Sequence, residues 1–294
     1  MNNFREYLQA RSVDEALELL GSEENAALVA GGTDLLLDLR QGRHPFLDRL
    51  VDVSEIAGMK HIVREGEWIK LGAGVTHKQI ISSPLLQTHA RCVVEGCGLI
   101  GGPQVRNVAT IGGNVAHALP AGDGTVSLLA LDSEVELVTR QGSSWQPLIE
   151  IFAGPGQVKF DRTKTILSAF RFAARQSGEG SAFHRVMRPQ GVAIAILNMA
   201  AWVRMRDGRI DQARIACGPA GPRPFRAYQT EEYLVGKTWD ESSFEEAAQM
   251  MDGEVSLRTS AHRATKEYRH YLLPVLLKKV MDRAVDRAGN YKVE

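Results

Sequence analysis

The order of apolar and polar positions predicts a first lobe of short strands and helices. A capping box, Ser12 with Glu15, opens a helix with one apolar face. The apolar run Ala26–Ala30 predicts a buried strand, and Leu35–Leu39 predicts an apolar turn or short helix after it. Arg49–Val53 indicates the strand that closes this lobe, which therefore occupies about residues 1–55.

Strand signals prevail in the following stretch, which predicts a second lobe at residues 56–176. Its helices are expected after the Thr76–Gln79 capping box, over Leu86–Leu99, and over Val126–Leu131. Its strands are expected at Ile62–Arg64, Trp68–Leu71, Glu134–Thr139, Trp145–Ile149 and Thr165–Phe172.

The last third of the chain has strands first and helices afterwards, the pattern of a separate α+β domain, residues 181–290. A polar, glycine-rich linker is expected at residues 176–181. The predicted strands are Phe183–Met187, Val192–Met205 and Arg209–Cys217, and the predicted helices are Thr230–Val235, Phe244–Met251 and about 260–288. Pro274 inside the last helix predicts a kink or a break, because proline removes a helical hydrogen bond.

Charge and composition narrow the classes of function. The 294 residues carry 35 Lys plus Arg and 35 Asp plus Glu, so no net field favours nucleic acid or an anionic membrane. The chain has no apolar run of membrane-spanning length and no signal-peptide pattern, which favours a cytoplasmic protein. The three cysteines fall short of the four ligands of an iron–sulfur cluster or structural zinc; Cys92, Cys97 and Cys217 are expected as buried free thiols, and no metal ligand is nominated.

The candidate chemistry lies in two glycine stretches about 80 residues apart. The first is Gly31-Gly32-Thr33-Asp34, and the second lies within Ile100–Asp123, with Gly112 and Gly113 at its centre. Both are expected as strand-to-glycine loops, over residues 28–34 and 104–114. Glycine leaves no Cβ between the main chain and a ligand, so several N–H groups of such a stretch can point at one phosphate. A dinucleotide fingerprint is not supported, because the third glycine is missing from the three runs that begin at Gly72, Gly154 and Gly178.

Taken together, the two stretches resemble those of the FAD-binding subunit of the molybdenum hydroxylases, the family of the xanthine dehydrogenase and carbon monoxide dehydrogenase medium subunits. Pro120 with Asp123, and the segment Arg263–Arg269, are similar to that family as well. The resemblance implies an α+β fold, with a two-lobed FAD-binding domain of the vanillyl-alcohol-oxidase type followed by a smaller α+β C-terminal domain.

The resemblance also implies which residues hold a non-covalent FAD. Backbone amides of residues 29–35 would cradle the pyrophosphate, and Asp123 would accept hydrogen bonds from a sugar or ribityl hydroxyl. The implied cofactor-binding residues are Val29, Ala30, Gly31, Gly32, Thr33, Asp34, Leu35, Ile100, Gly101, Val105, Ala109, Thr110, Gly113, Asn114, Ala116, His117, Gly122, Asp123, Ile166, Leu167 and His184.

Several positions keep more than one interpretation. Asp34 fits a helix N-cap as well as a cofactor ligand, and Arg106 fits a phosphate partner as well as the partner of a neighbouring carboxylate. Relatives often carry Lys where this chain has His184 and Arg185, so one of these two replaces that contact or neither does. The choice bears on the flavin, because charge near the ring tunes its redox chemistry.

The function that the resemblance implies is electron transfer through FAD. A molybdopterin-binding large subunit would oxidise the substrate, a small [2Fe–2S] subunit would pass the electrons on, and FAD on this chain would deliver them to NAD+ or another acceptor. That role needs no acid, base or nucleophile, so no catalytic residue is nominated. Two alternatives are a self-sufficient flavin oxidase of the same superfold and a scaffold subunit without FAD.

Overall fold

A small parallel sheet forms the first lobe of the computed structural model, which describes residues 3–21, 25–189 and 193–289. Its strands pair in the order β1-β3-β2, with helices α1 and α2 in the connections. Strand β1 is absent from the sequence prediction, because most of its side chains are exposed and its apolar residues do not alternate regularly. The elements are β1 (Phe4–Gln9), α1 (Val13–Leu20), β2 (Ala26–Val29), α2 (Leu35–Arg40) and β3 (Leu47–Asp52).

The two predicted capping boxes have different outcomes. The Oγ of Ser12 accepts a hydrogen bond from the Glu15 N–H at 3.1 Å, but the Glu15 carboxylate accepts from the Arg11 N–H, one residue before the N-cap. The first box is therefore only half formed. At the second box, Thr76 and Gln79 exchange both hydrogen bonds, and the prediction is confirmed.

A five-stranded antiparallel sheet, in the order β4-β5-β10-β6-β7, organises the second lobe. The predicted strand Trp145–Ile149 is displaced, because the chain turns into a 3-10 helix at Leu148. A short hairpin, β8 (Phe152–Gly154) with β9 (Gln157–Val158), follows that turn. The strands of the sheet are β4 (Ile62–Glu65), β5 (Trp68–Gly72), β6 (Glu134–Thr139), β7 (Gly142–Pro147) and β10 (Ile166–Ala173).

Six short helices belong to the second lobe, and the single helix predicted over Leu86–Leu99 is wrong. Ala90 interrupts it with φ −142° and ψ 53°, outside the helical region, so two helices form instead. Pro84 at the first position and the Ser83 hydroxyl as N-cap start the earlier one. The helices are α3 (His77–Ser82), α4 (Pro84–His89), α5 (Arg91–Gly98), α6 (Pro103–Val108), α7 (Ile111–Ala116) and α8 (Asp123–Ala130).

The C-terminal part is a four-stranded antiparallel sheet packed against one long helix. Its strands are β11 (Glu179–Val186), β12 (Leu197–Arg206), β13 (Arg209–Gly218) and β14 (Phe225–Arg226), and its helices are α9 (Tyr228–Leu234), α10 (Glu241–Glu254) and α11 (Lys266–Gly289). Helix α11 continues through Pro274, so of the two predicted outcomes the break is wrong and the kink stays a prediction. Residues 179–181 of the expected linker belong to β11, and the predicted strand start at Val192 lies outside the described residues.

The two faces of the C-terminal sheet belong to two different cores. Side chains alternate between the faces of a strand. Phe183 and Trp202 pack into the core of the second lobe, whereas Ala182 and Ala201 pack with Leu276 of α11. The C-terminal sheet is therefore packed between the core of the second lobe on one face and helix α11 on the other. No helix in the described part of the chain has the length and hydropathy to cross a bilayer.

Candidate functional site

The first glycine stretch forms the loop between β2 and α2. Gly32 has φ +66°, a conformation that glycine adopts without strain. Among the described residues, the N–H groups of Gly31, Gly32 and Thr33 have no hydrogen-bond acceptor, although all three residues are half-buried. Backbone donors without a protein acceptor are left to bind water or a ligand. Adjacent amides at the end of a strand fit an anionic group such as a pyrophosphate.

This loop packs directly against the second glycine stretch. An ideal Cβ on Gly31 would lie 2.1 Å from the Val108 carbonyl oxygen and 2.8 Å from the Ala109 Cα, so only glycine allows this approach. The structure therefore joins two segments that are about 80 residues apart in the sequence.

The second stretch contains two helices and is not the strand-to-glycine loop expected from the sequence. Thr110 is the N-cap of α7, and its Oγ1 accepts from the Gly113 N–H at 3.1 Å. Gly112 packs on β5, because an ideal Cβ there would lie 2.6 Å from the Ala73 Cβ. The Asn114 Oδ1 accepts from the Thr125 N–H at 3.1 Å and ties α7 to α8. These residues build the wall behind the first loop.

A polar pair connects the end of α7 to the first loop. The Nδ1 of His117 lies 3.5 Å from the Asp34 Oδ2. The hydrogen bond to Asp34 raises the pKa of His117, and the same contact lowers the pKa of Asp34. Asp34 occupies the N-cap position of α2, but its side chain makes no capping hydrogen bond. Its carboxylate contacts His117 instead.

Arg106 has no carboxylate partner among the described residues, and its contact with a cofactor phosphate stays a prediction. Its Nη1 donates to the carbonyl oxygens of Ile100 and Gly101, at 3.0 and 2.7 Å, and so holds the turn where Gly101 has φ +54°. Nearby, His77 is fully buried with an unpartnered Nδ1. Burial, with a smaller effect of the Arg106 charge, lowers the pKa of His77 to about 4. His77 is therefore a neutral part of the wall at physiological pH.

A buried ion pair connects this wall to the C-terminal sheet. Asp123 accepts from Arg185 at one carboxylate oxygen and from the Asn198 Nδ2 at the other, at 2.6 Å. The Arg185 Nη2 also donates to the Leu99 carbonyl oxygen at 2.5 Å, next to Ile100. Burial raises the pKa of the Asp123 carboxyl, and the charge of Arg185 opposes that rise. Both carboxylate oxygens of Asp123 already have protein partners. The contact of Asp123 with a cofactor hydroxyl stays a prediction.

Comparison with known proteins identifies the arrangement. Residues 2–172 match the family model described as the FAD binding domain in molybdopterin dehydrogenase, and residues 181–284 match the carbon monoxide dehydrogenase flavoprotein C-terminal domain. The chain belongs to the FAD-binding subunits of the molybdenum hydroxylases. The domain boundaries expected from the sequence stay predictions, because a matched range does not mark where a domain folds independently.

Individual relatives cover nearly the whole FAD subunit. A xanthine dehydrogenase FAD-binding subunit from Escherichia coli O157:H7 is 31% identical, over 98% of this chain and 99% of its own length. The carbon monoxide dehydrogenase medium chain of Hydrogenophaga pseudoflava is 28% identical, over 97% of this chain and 98% of its own. A solved structure of carbon monoxide dehydrogenase from the same organism superposes with a TM-score of 0.91 at 27% identity, covering 96% of this chain and 97% of that one. The fold class is thereby confirmed as well.

The FAD subunit joins most of the expected cofactor positions into one continuous wall. Contacts run from Gly31 to Ala109, from Asp34 to His117, from Asn114 to Gly122, and through Arg185 back to Leu99. Ile166 and Leu167 are buried in β10, on which α7 packs. The free N–H donors of the first loop fit the FAD pyrophosphate. The individual contacts of these residues with FAD remain predictions.

His184 is the expected site residue that the structure separates from the others. It alternates with Phe183 and Arg185, so it lies on the face of β11 that packs against α11. Burial, then the charges of Lys279 and Arg283, lower the pKa of His184. Arg185 is the residue on the site's side. The strand period gave a signal for this, because Arg185 shares its face with the apolar Phe183.

The three cysteines are buried and free, as the sequence predicts. Burial raises the pKa of Cys92 and of Cys217 to about 12, and it raises the pKa of Cys97 further. The part of the chain that the structure describes contains no group of three His, Cys, Asp or Glu side chains placed to hold a metal ion.

Proposed function

We propose that this FAD subunit transfers electrons within a molybdenum hydroxylase complex. In this proposal it takes them from the [2Fe–2S] clusters of a small partner subunit, and a molybdopterin-binding large subunit oxidises the substrate. The final acceptor is NAD+ or another oxidant. Bound FAD supplies the chemistry of this role, because it takes up two electrons and can release them as hydride.

One observation carries the proposal: the contact of Gly31 with Val108 and Ala109. It sets the unpartnered N–H groups of residues 31–33 beside the wall formed by α6 and α7. Such donors orient an anionic cofactor without a charged side chain, since each amide offers a fixed partial charge.

The rest of the wall holds this arrangement rigid. Arg106 fixes the Gly101 turn, and Arg185 fixes both Asp123 and the Leu99 carbonyl. Because Arg185 comes from β11, the C-terminal sheet takes part in closing the wall. A site built on packed elements keeps a cofactor at a constant distance from its electron donor.

The partners in this proposal come from the relatives. The related Hydrogenophaga protein is named a medium chain of carbon monoxide dehydrogenase, and the solved enzyme from that organism is described as lacking the Mo-pyranopterin moiety of its molybdenum cofactor. A medium chain is one component of a larger enzyme, which supports a partner that carries the molybdenum. The cytoplasmic location is part of the same proposal and is tested by fractionating the host cell.

The proposal is tested by purifying the chain, with an affinity tag, from its native host. We expect a flavin spectrum, release of FAD into the supernatant on acid precipitation, and co-purifying chains with iron–sulfur absorbance. Anaerobic NADH should bleach the flavin if NAD+ is the acceptor. If the flavin bleaches only through the reduced iron–sulfur partner, the acceptor is another oxidant.

Two outcomes would contradict the proposal. A yellow chain that purifies alone and oxidises a substrate by itself supports the self-sufficient flavin oxidase. A chain that stays colourless after incubation with FAD supports the scaffold subunit. Gly31→Ala is the matched variant for the second outcome, because it changes the first loop without removing any charged side chain that a partner subunit could contact.

A further inference from the structure

Arg269 is a buried cation without a partner, outside the FAD site. It lies in the first turns of α11 and is only 2% exposed. Its Nε and Nη1 are sealed from solvent, and neither has a hydrogen-bond partner among the described residues. A buried charge without compensation is strongly destabilising. The chain retains one here, which points to a ligand that supplies the missing negative charge.

Two more arginines, Arg258 and Arg263, lie on the segment that packs against the start of α11. Burial, and then the positive charges of Arg263 and Arg258, lower the pKa of Arg269. The segment that carries both folds back on the start of α11: the Ser260 N–H donates to the Ala264 carbonyl at 2.9 Å. Within the described ranges, neither Arg258 nor Arg263 has an ion-pair or hydrogen-bond partner for its side chain.

The other groups around Arg269 supply no compensating charge. Cys217 of β13 faces it, but burial raises the pKa of that thiol to about 12, so the thiol is neutral. Glu267 is exposed, and its carboxylate is engaged by its own N–H and by Thr265.

The N-terminus of α11 is not itself the binding element. The Lys266 N–H donates to the Thr259 Oγ1 at 3.0 Å, and the Tyr268 N–H donates to the Thr265 Oγ1 at 3.2 Å. The Arg269 N–H donates to the Thr265 carbonyl at 3.3 Å. With these amides satisfied, the donors left for a ligand are those of the guanidinium groups.

We propose that Arg258, Arg263 and Arg269 form a phosphate-binding site in the C-terminal domain. Three guanidinium groups suit a dianion better than a single carboxylate, and each offers the parallel N–H pairs that bind phosphate oxygens. Long side chains in helices are generally directed toward the start of the helix, which for Arg269 is the side where the segment of Arg258 and Arg263 lies.

This site is linked to the FAD wall through one loop. The Ser256 N–H donates to the Ala220 carbonyl at 2.8 Å, which attaches the segment of Arg258 to the loop after β13. Gly218, at the start of that loop, packs so tightly on Pro120 that an ideal Cβ would lie 2.0 Å from its carbonyl oxygen. Pro120 precedes Asp123 of the FAD wall.

The test is calorimetric titration of the full FAD-loaded chain with inorganic phosphate, at constant ionic strength and with FAD in excess. Arg258→Gln with Arg263→Gln should weaken phosphate binding by at least about tenfold, since each charge-assisted bond contributes that much or more. Arg206→Gln with Arg209→Gln is the matched control, because it removes two arginines from the β12–β13 turn at the other end of the sheet. Its affinity for phosphate should equal that of the wild type.

Two further probes separate the sources of the phosphate. The site is assigned to a nucleotide if ADP binds far more tightly than inorganic phosphate and adenosine does not bind. It is assigned to the free phosphate ion if ADP and phosphate bind with equal affinity. Absence of binding by both phosphate and ADP, or equal weakening in the control variant, refutes the proposal.

Arg269→Met gives an independent readout. It removes the uncompensated charge, so the unfolding temperature in chloride buffer should rise, and the further rise that phosphate gives the wild type should vanish. A phosphate-dependent rise that survives in Arg269→Met contradicts the proposal, whatever happens to the basal stability.

Discussion

Replacing Gly31 by alanine is expected to weaken FAD binding while leaving the chain folded. The added methyl would lie 2.1 Å from the Val108 carbonyl oxygen, whereas ordinary contact begins at 3.4 Å, so the two stretches must separate by about 1.3 Å. A hydrogen bond of about 2.9 Å that lengthens by this amount is lost. Each lost bond to a charged group costs about 1.5–3 kcal/mol. The Kd for FAD should therefore rise by at least about tenfold.

The assay is a titration of the FAD-free chain with FAD, followed by flavin fluorescence, with circular dichroism as the check on folding. Gly58→Ala is the control, because an ideal Cβ at Gly58 meets no atom within 4 Å. A folded Gly31→Ala chain that binds FAD as tightly as Gly58→Ala would refute the reasoning, since it would show that the close approach of the two stretches is not needed for the cofactor.

Three further predictions concern the polar contacts. Arg185→Gln leaves Asp123 buried without its cation, so the free energy of unfolding, measured in urea, should fall by about 3–5 kcal/mol. The fall should be smaller at a pH low enough to protonate Asp123, because the buried group is then neutral. His117→Gln should remove a pH-dependent part of the thermal stability. The pKa of His117 is raised and that of Asp34 is lowered, so the pair stabilises the fold fully only between about pH 4 and about pH 6.5. This contribution is lost as the pH rises through the folded pKa of His117, and also as the pH falls through the folded pKa of Asp34. His184→Ala should leave the Kd for FAD unchanged, because His184 faces α11.

Each of these three predictions has a measurement that can contradict it, and the first two have a control variant. Arg188→Gln removes an arginine near Arg185 that contacts no carboxylate in the described ranges, and should cost far less stability. His44→Gln removes a half-buried histidine that contacts the Pro45 carbonyl and has no carboxylate partner in the described ranges, so its pH profile should match that of the wild type. An equal loss of stability in Arg188→Gln would contradict the role of the Arg185–Asp123 ion pair. An unchanged pH profile in His117→Gln would contradict the role of the His117–Asp34 pair. A weaker FAD affinity in His184→Ala would contradict the position of His184 on the side of α11.

The sequence was most informative where local chemistry decides the outcome. The strand before Gly31, the capping box at Thr76 and the burial of the cysteines are all correct. These features depend on neighbouring residues or on composition, and a local pattern records them. The prediction of a single helix through Ala90 failed, and of the two outcomes predicted at Pro274 the break is wrong, because tertiary packing sets where a helix ends or continues.

The sequence by itself determined the family and the two glycine stretches. Only the tertiary structure decided what those stretches do, because the space that Gly31 leaves is occupied by Val108, far away in the chain. It likewise decided which of His184 and Arg185 pairs with Asp123, since adjacent strand residues point to opposite faces and each face packs against a different core. Glycines and charges can be counted in a sequence, but the distances between them arise only when the chain folds.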